Sequence, residues 1–409
     1  MHRLVHALKP RKNGTGDVAS STSSSSSSNL SVGDSASAQN HTSSNGFRVG
    51  ESQPDMSEGL DESALDPSEL ADLVAKHGNA TSTAWLETDR YHTWQPSKAI
   101  PESSFTPVQG YLHSGAWVFA WGNPIVSDPK AFKPTLQAFI SAVESKGMRC
   151  VYCCVDSNIE GVLAGMNWST VSCINEDIID PENVVELTSE DSEGHGSMVK
   201  DLKKNLRRAE RAQIEVMEIR RNDWSETVRK EIEDGVDAWK KSRSGLQLAA
   251  TSFDPFLDFE HRRYWVARSE GKAVGVLILS PVRDAFVIKN AVSFPKAPKG
   301  TSEYLITSAL KDLRSERQSE TGSVSRGDIS VTFNISAASD LKPTKNVSGW
   351  KFTWLNKTYS NVSQGAGLLN RGDFRSKFDS SREPMFVCYP SEDGFGLDGI
   401  EMLIKLLRR

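Results

Sequence analysis

The sequence predicts an α/β protein with mixed, largely antiparallel sheets flanked by helices. Two runs of the chain carry this prediction. Residues 115–175 alternate short apolar stretches with segments of helical spacing, and residues 262–336 contain three strand-like stretches, a helical segment and another strand. No apolar run approaches the roughly 18–20 residues that a membrane-spanning helix requires, so we expect no transmembrane segment.

The first run has a β-α-β-α-β order. GAWVFAWG (115–122) is a predicted strand, and the apolar residues of 129–147 recur at helical spacing up to Gly147, a residue typical of helix C-termini. MRCVYCCVD (148–156) is the next predicted strand. NIEGVLAGMNWSTV (158–171) predicts a short helix that leads into a further strand.

The second run is longer and begins with a basic segment at residue 196. The other predicted elements are a helix at 224–243, three strands within 262–292, a helix at 302–316, a strand at 329–336, a short helix and a strand within 368–390, and a helix at 399–409. Three antiparallel strands followed by a helix and a further strand are the order of GNAT-type acyltransferases. Because a smaller version of this order precedes it, we predict a tandem GNAT-like (dupli-GNAT) acyltransferase fold.

Composition sets the predicted domain boundaries. Residues 1–88 include a Ser-rich, nearly aromatic-free run that cannot bury enough apolar surface to offset its ordering entropy, so they predict a disordered tail. Residues 89–195 then form a first GNAT-like unit, and 196–409 form a second unit with the basic helix and the transferase site. Without a signal peptide, we expect the protein in the cytoplasm, either free or attached peripherally to a membrane or lipid surface.

Cysteines give no sign of a metal site. Cys150 and Cys153 form a C-x-x-C next to Cys154, but no second ligand pair follows at a usual spacing. RCVYCCV instead predicts a buried strand with reduced core thiols. We therefore expect no metal.

Positive charge is concentrated in one predicted helix, although the chain has a net charge of −5. Val199, Leu202, Leu206 and Ala209 recur at helical spacing and predict an apolar stripe. The basic residues of the segment are Lys200, Lys203, Lys204, Arg207, Arg208 and Arg211. Residues 176–193, just upstream, contain no Lys or Arg. A ridge of this kind suits the phosphates of a nucleic acid or a lipid headgroup, and the alternative is an ordinary solvated helix face.

The loop NAVSFPKAPKGTSEYL (290–305) lacks the Gln/Arg-x-x-Gly-x-Gly/Ala pattern with which acetyl-CoA enzymes of this fold bind pyrophosphate. An acetyl-CoA N-acetyltransferase is therefore disfavoured. Lys296 and Lys299 precede a predicted helix N-terminus here, so the loop is a second candidate for phosphate binding.

Polar residues on or beside predicted strands are further site candidates. They are Asp254 and His261 before the first strand of the second run, Lys289 and Asn290 within FVIKNAV, Asn334 within VTFNIS, and Asp340 just beyond it. For His261 the alternative is a salt-bridged loop.

Several stretches occur in the order seen in the catalytic domain of phosphatidylglycerol lysyltransferases. They are LKKNLRRAERAQIEV, the stretch from Trp239 to FDPF, YWVARSEGKAVGVLIL, AVSFPKAPKGTSEYLI, VTFNISAA and FRSKFDSSREPMFVCY. The sequence resembles this family over residues 108–409. The resemblance implies the tandem GNAT-like fold, no cofactor, and transfer of an amino acid from an aminoacyl-tRNA to a lipid hydroxyl.

Two features set the chain apart within this resemblance. Bacterial members carry a large membrane-spanning portion, for which this sequence shows no counterpart. FDPFLDFEHRRYW and PKAPKGTSEYLI are closer to fungal members that aminoacylate a sterol. One such group is fused to an aspartyl-tRNA synthetase and makes ergosteryl aspartate. No synthetase module is present here, so the chain is most similar to the free-standing group that makes ergosteryl glycine.

The resemblance thus implies glycyl-tRNA as donor, ergosterol or another membrane lipid as acceptor, peripheral membrane contact and no DNA partner. Acyl transfer then requires carbonyl polarisation, for which Lys289 and Asn290 are candidates, and proton transfer, for which His261, Asp254 and Glu303 are candidates. The basic helix and the loop lysines would bind tRNA phosphates. The alternatives are a phosphatidylglycerol or other lipid acceptor, and a non-catalytic GNAT-like module that binds RNA or membranes.

Overall fold

A mixed sheet of eleven strands runs through the chain. The structure is a computed structural model that describes Leu60 and residues 65–189, 196–243, 251–347, 356–357, 359, 374–392 and 394–407. The strands are β1 (His92–Trp94), β2 (Gln109–Ser114), β3 (Trp117–Trp121), β4 (Arg149–Val155), β5 (Trp168–Ile179), β6 (Glu215–Ile219), β7 (Arg263–Ser269), β8 (Lys272–Val282), β9 (Ala285–Ser293), β10 (Ser330–Lys345) and β11 (Ser381–Pro390).

The α-helices begin and end close to their predicted positions where a prediction exists. They are α1 (Pro67–His77), α2 (Phe132–Ser145), α3 (Ser157–Gly165), α4 (Pro181–Thr188), α5 (Ser197–Arg211), α6 (Glu226–Ser242), α7 (Thr301–Thr321) and α8 (Leu397–Leu407). Short 3-10 turns occur at Thr81–Ala84, Pro129–Ala131, Arg221–Asp223 and Ser376–Phe378. The structure adds α1, α4, β1, β2 and β6 to the predicted elements. It also extends the strand predicted at 329–336 to Lys345.

The strand order is β1-β2-β3-β4-β11-β5-β10-β9-β8-β7-β6. Neighbouring strands are antiparallel except β3 with β4 and β9 with β10, which are parallel. The boundary predicted at residue 195 does not divide the sheet, because β11 lies between β4 and β5. Phe386 of β11 pairs with Val155 on one side and with Ser172 on the other. Its backbone groups therefore complete the hydrogen bonding of two strands that precede residue 195.

Both faces of the sheet are covered. In β3, Phe119 belongs to one apolar cluster, whereas Val118 belongs to the cluster that α2 and α3 complete on the opposite face. In β7, Trp265 packs in the cluster with α5 and α7, while Tyr264 packs in the cluster with α6. Alternation of side chains along each strand produces these paired layers.

The prediction of a disordered tail through residue 88 is wrong for 65–88. The Asp66 side chain caps α1 by accepting a hydrogen bond of 2.8 Å from the backbone N–H of Ser68. Leu70 and Val74 of α1 are buried, and Trp85 is 0% exposed, with its indole N–H donating to the carbonyl of Trp121 at 2.9 Å. A few large apolar side chains thus fix a segment of polar average composition. Residues 1–59 and 61–64 lie outside the described residues.

Candidate functional site

An apolar cavity of about 340 Å³ lies among β5, β9, β10 and α8. Its apolar walls include Trp121, Val171, Ile288, Phe333, Leu341 and Val387. The helix α8 contributes Ile400, Leu403, Ile404 and Leu407. Polar lining residues are Thr81, Thr251, Lys289, Asn334, Ser336, Tyr359 and Arg375. A mostly apolar cavity with a few convergent polar groups is typical of a small-molecule or lipid site.

Lys289 is the central polar group of the cavity. Its Nζ donates to the carbonyl and Oγ1 of Thr83, at 3.4 and 3.3 Å. Burial lowers the pKa of Lys289 to about 7, and the nearby Arg262 guanidinium lowers it further, against the opposing charges of Glu87 and Asp258. A large fraction of this amine is therefore neutral near pH 7. It can accept a proton there, which an ordinary lysine cannot.

A buried ion pair reaches the same cavity. Arg375 Nη1 donates to Oδ2 of Asp177 at 2.6 Å and to the carbonyl of Asn334 at 3.0 Å. Asp177 is fully buried in β5, and Arg382 Nε lies 3.4 Å from its other carboxylate oxygen. Burial lowers the pKa of Arg375, opposed by its hydrogen bond to Asp177. The carboxylate thus compensates the guanidinium that faces the cavity.

Asn334 sits at an irregularity of β10, where its register against β5 shifts between Thr332 and Ile335. Its φ of 64° is in the left-handed region, which asparagine adopts more readily than most residues. The side chain accepts a hydrogen bond from the N–H of Ile335 at 2.7 Å and donates to the carbonyl of Ala80 at 3.1 Å. Asn334 therefore joins the sheet to the turn at Thr81–Ala84.

His261 and Asp254, predicted as proton-transfer residues, lie outside the cavity lining. The two ring nitrogens of His261 lie 2.6 and 2.9 Å from carboxylate oxygens of Asp258 and Asp72. Burial alone would lower the pKa of His261, but these two hydrogen bonds raise it overall. Asp254 accepts hydrogen bonds from the backbone N–H groups of Phe256 and Leu257. Both residues therefore hold local structure, as the salt-bridged-loop alternative for His261 anticipated.

The other predicted polar candidates are also dispersed. Asn290 is half-buried on β9 opposite Ile278 and does not line the cavity. Asp340 is exposed and accepts from the hydroxyl of Ser339 at 3.0 Å. Glu303 pairs with Lys377 and accepts from Asn205 Nδ2, both at 2.8 Å. Of the predicted catalytic and additional candidates, the cavity collects Lys289 and Asn334.

The basic helix is α5, and it buries the predicted apolar stripe of Val199, Leu202, Leu206 and Ala209. On its other side Lys200, Lys204, Arg207, Arg208 and Arg211 are exposed. Lys203 is half-buried and donates to the carbonyl of Ser189 at 3.0 Å, and Arg208 donates to Oδ1 of Asn205 at 3.1 Å. Among the described residues, Lys200, Lys204, Arg207 and Arg211 form no salt bridge. Their charge is thus available to an external anion.

The lysine loop lies against this helix. Gly300, which precedes α7, has a φ of 95°, and a Cβ there would lie 2.2 Å from the carbonyl oxygen of Asn205 in α5. Only glycine permits both this conformation and this approach. Lys296 and Lys299 of the loop are exposed. The structure therefore brings the two predicted phosphate-binding elements into contact.

Several cavity residues were missed in the sequence. Thr83 and Glu87 lie in the segment predicted to be disordered, and Asp177 lies in the acidic run upstream of the basic helix. Arg375 is part of the quoted stretch FRSKF, but nothing in the stretch separates it from Lys377. The buried partners of these residues identify them, and no local pattern reports such partners.

Other kinds of site have little support in the described residues. Cys150, Cys153, Cys154, Cys173 and Cys388 are buried and free, and burial raises the pKa of each thiol. Within the same ranges no three His, Cys, Asp or Glu side chains converge on a metal position. None of the described helices is both long and apolar enough to cross a bilayer.

Comparison with known proteins adds a family. Residues 72–389 match the family described as phosphatidylglycerol lysyltransferase, C-terminal. The fold is similar to the C-terminal domain (DUF2156) of a lysylphosphatidylglycerol synthetase candidate from Agrobacterium fabrum, with a TM-score of 0.60 and 15% identity over 84% of this chain and 98% of that chain. It is also similar to L-PGS from Bacillus licheniformis, with a TM-score of 0.64 and 16% identity over 84% and 96% of the two chains. These likenesses confirm the predicted fold class. No curated protein sequence matches the chain.

Proposed function

The chain belongs to the phosphatidylglycerol lysyltransferase C-terminal family, and we propose that it moves an amino acid from an aminoacyl-tRNA to the hydroxyl of a neutral membrane lipid. Glycine and the 3β-hydroxyl of ergosterol are the proposed amino acid and acceptor. The observation that carries the proposal is the apolar cavity around a buried lysine whose pKa falls to about 7. The cavity suits a lipid body, and the lysine suits the activation of one hydroxyl group.

The chemistry needs only groups that the chain supplies. The lipid hydroxyl oxygen attacks the ester carbonyl of the aminoacyl group, and a new ester C–O bond forms as the bond to the tRNA ribose oxygen breaks. The neutral amine of Lys289 accepts the hydroxyl proton, which is then returned to the departing ribose oxygen. This role replaces carbonyl polarisation by Lys289, because a polarising cation would have to be protonated where burial favours the neutral amine.

The charge balance of the cavity supports a neutral acceptor. Lys289 and Arg375 are the charged residues among its described lining. Arg375 is paired with Asp177 at 2.6 Å, and Lys289 is easily deprotonated. A sterol offers one hydroxyl group on an otherwise apolar body, and such a molecule leaves no charge unpaired in this space.

One observation favours phosphatidylglycerol as a second candidate acceptor. Asp177 is shared by two arginines, Arg375 and Arg382. One carboxylate cannot fully compensate two guanidinium groups, so a lipid phosphate could pair with the surplus charge. The family description points to the same lipid.

A transfer assay tests the proposal. The purified protein is incubated with aminoacyl-tRNAs carrying a labelled amino acid and with vesicles containing ergosterol, phosphatidylglycerol or neither, and the lipids are then extracted. We expect label in the sterol fraction with glycyl-tRNA, and its loss after RNase treatment of the donor. Label in phosphatidylglycerol alone would replace the acceptor. No labelled lipid from any aminoacyl-tRNA would contradict the enzyme class and favour a non-catalytic RNA- or membrane-binding module.

A further inference from the structure

The helix α8 is apolar but buries few of its side chains. The six apolar residues Ile400, Met402, Leu403, Ile404, Leu406 and Leu407 are all partly exposed, and Gly399 is the buried residue among its described side chains. The helix α7, by comparison, fully buries Leu305, Ile306 and Leu310 against the sheet. Part of the apolar surface of α8 therefore remains uncovered, at a cost in free energy that a suitable partner would remove.

Polar contacts at both ends hold this helix in place. At its start, Asp398 accepts a hydrogen bond from the indole N–H of Trp117 at 3.2 Å and pairs with Arg149 at 3.5 Å. At its end, Arg90 Nη2 donates to the carbonyl of Leu406 at 2.9 Å. The exposed apolar surface thus belongs to an anchored element and not to a fraying terminus.

The same helix forms a wall of the cavity. Ile400, Leu403, Ile404 and Leu407 line the cavity, whereas Met402 and Leu406 do not. Arg90, which binds the end of α8, also pairs with Glu87 at 3.6 Å, and the charge of Glu87 acts on Lys289. One side of α8 is therefore continuous with the lysine end of the cavity.

We propose that α8 docks the protein on the surface of a lipid bilayer and that the acceptor lipid enters the cavity along this helix. At 1.5 Å per residue, eleven residues span about 16 Å, which is too short to cross a hydrocarbon core of roughly 30 Å, so α8 lies in the plane of the interface. This inference rests on the proposed lipid acceptor.

The charges of α8 specify the kind of bilayer. Asp398, Glu401 and Lys405 are the charged residues of the helix, and Glu401 and Lys405 are exposed one turn apart. One lysine against two acids gives no attraction to anionic lipid. The docking therefore depends on apolar contact, and neutral phosphatidylcholine suffices for it.

Vesicle binding by the full-length protein tests this surface. Phosphatidylcholine vesicles with ergosterol are sedimented with the wild type and with a Met402→Ser, Leu406→Ser double variant. We expect about a tenfold or greater loss of partitioning in the double variant, because two apolar side chains no longer enter the interface. The matched control, Glu401→Ser with Lys405→Ser, lies one position earlier on the same turns and keeps wild-type partitioning.

The outcomes separate this inference from the proposed function, because binding is measured without any aminoacyl-tRNA. A selective loss of binding in the apolar variant supports docking, even if every transfer assay is negative. In active protein, the apolar variant also raises the apparent KM for vesicle-borne acceptor more than it changes kcat. Equal partitioning of the two variants, or binding of wild type only to anionic vesicles, overturns the proposal. Vesicle-independent dimers that the apolar variant abolishes would assign α8 to a second copy of the chain and overturn it as well.

Discussion

Lys289 shows how one residue acquires chemistry from its surroundings. In water a lysine amine is protonated at neutral pH, and it cannot then accept a proton. Burial next to Arg262 lowers its pKa from 10.5 to about 7, while Thr83 fixes its position through two hydrogen-bond acceptors. The neutral amine is then well placed to act as a base in acyl transfer.

Replacing this lysine tests the role. In Lys289→Met we expect kcat to fall by about 10²–10⁴-fold, the usual contribution of a general base. The wild-type rate should rise as the pH passes through about 7, because the neutral amine is the active form. Steady-state rates between pH 5.5 and 9, with exposed Lys311→Met as the control, measure both effects. A variant that keeps the wild-type rate and pH profile would remove Lys289 from the mechanism.

The same substitution should change stability with a defined sign. Because the folded pKa lies below the unfolded value of 10.5, the unfolded chain binds more protons between about pH 7 and 10.5. The wild type therefore loses stability as the pH falls through this window, and the penalty is complete below about pH 7. Lys289→Met removes the penalty, so thermal unfolding should show a Tm gain that is larger at pH 7 than at pH 10. A gain of equal size at both pH values would contradict the buried neutral amine.

At the scale of elements, α5 and the loop before α7 form one basic surface. Gly300 lets the loop approach the carbonyl of Asn205 in α5. Lys204, Arg207 and Arg211 are exposed there without salt bridges inside the described ranges. Separated charge of this kind attracts polyanions such as tRNA, and the attraction weakens with salt.

Charge reversal tests this surface. For Arg207→Glu with Arg211→Glu we expect the KM for aminoacyl-tRNA to rise about tenfold or more, with little change in kcat. The dependence of log affinity on log salt should become shallower by about 0.7–0.9 for each phosphate that the protein no longer neutralises. Arg208 is left unchanged because it also donates to Asn205.

The control for this experiment reverses two exposed lysines elsewhere, Lys272→Glu with Lys311→Glu. It changes the net charge of the protein by the same amount. If both double variants weaken tRNA binding equally, net charge alone is responsible and α5 is an ordinary solvated face. Tm values for each protein show whether the fold is retained.

At the scale of the molecule, the two predicted units share one sheet. The strand β11 lies between β4 and β5, so a strand near the end of the chain completes the first half. The helix α1, far from it in sequence, attaches to the second half through the backbone of Arg283, whose N–H donates to the carbonyl of Ala75 at 2.7 Å. Each half therefore depends on the other for part of its hydrogen bonding.

Dividing the chain tests this dependence. We expect fragments 1–195 and 196–409, produced separately, to be unstable, because β4 and β5 lose the strand between them and β11 loses both partners. Co-expression of the two fragments should restore a folded complex, measured by co-purification and cooperative thermal unfolding. Cooperative unfolding of 1–195 alone would show that the predicted boundary separates independent domains after all.

The sequence by itself determined the features that local periodicity encodes. The strands β3, β4 and β8, the helix α7 and the charge segregation of α5 follow from the spacing of residues within one element. The order of these elements also indicated the fold class. Lys289 and Asn334 were identifiable because polar residues interrupt otherwise apolar strands.

Only the tertiary structure decided how these features combine. Lys289 meets Thr83 across 206 residues of chain, and Arg375 meets Asp177 across 198. His261 and Glu303 have the residue types of a catalytic site, but their partners make them structural. The physical reason is that burial, pKa and pairing are set by neighbours in space, whereas a sequence pattern reports neighbours along the chain.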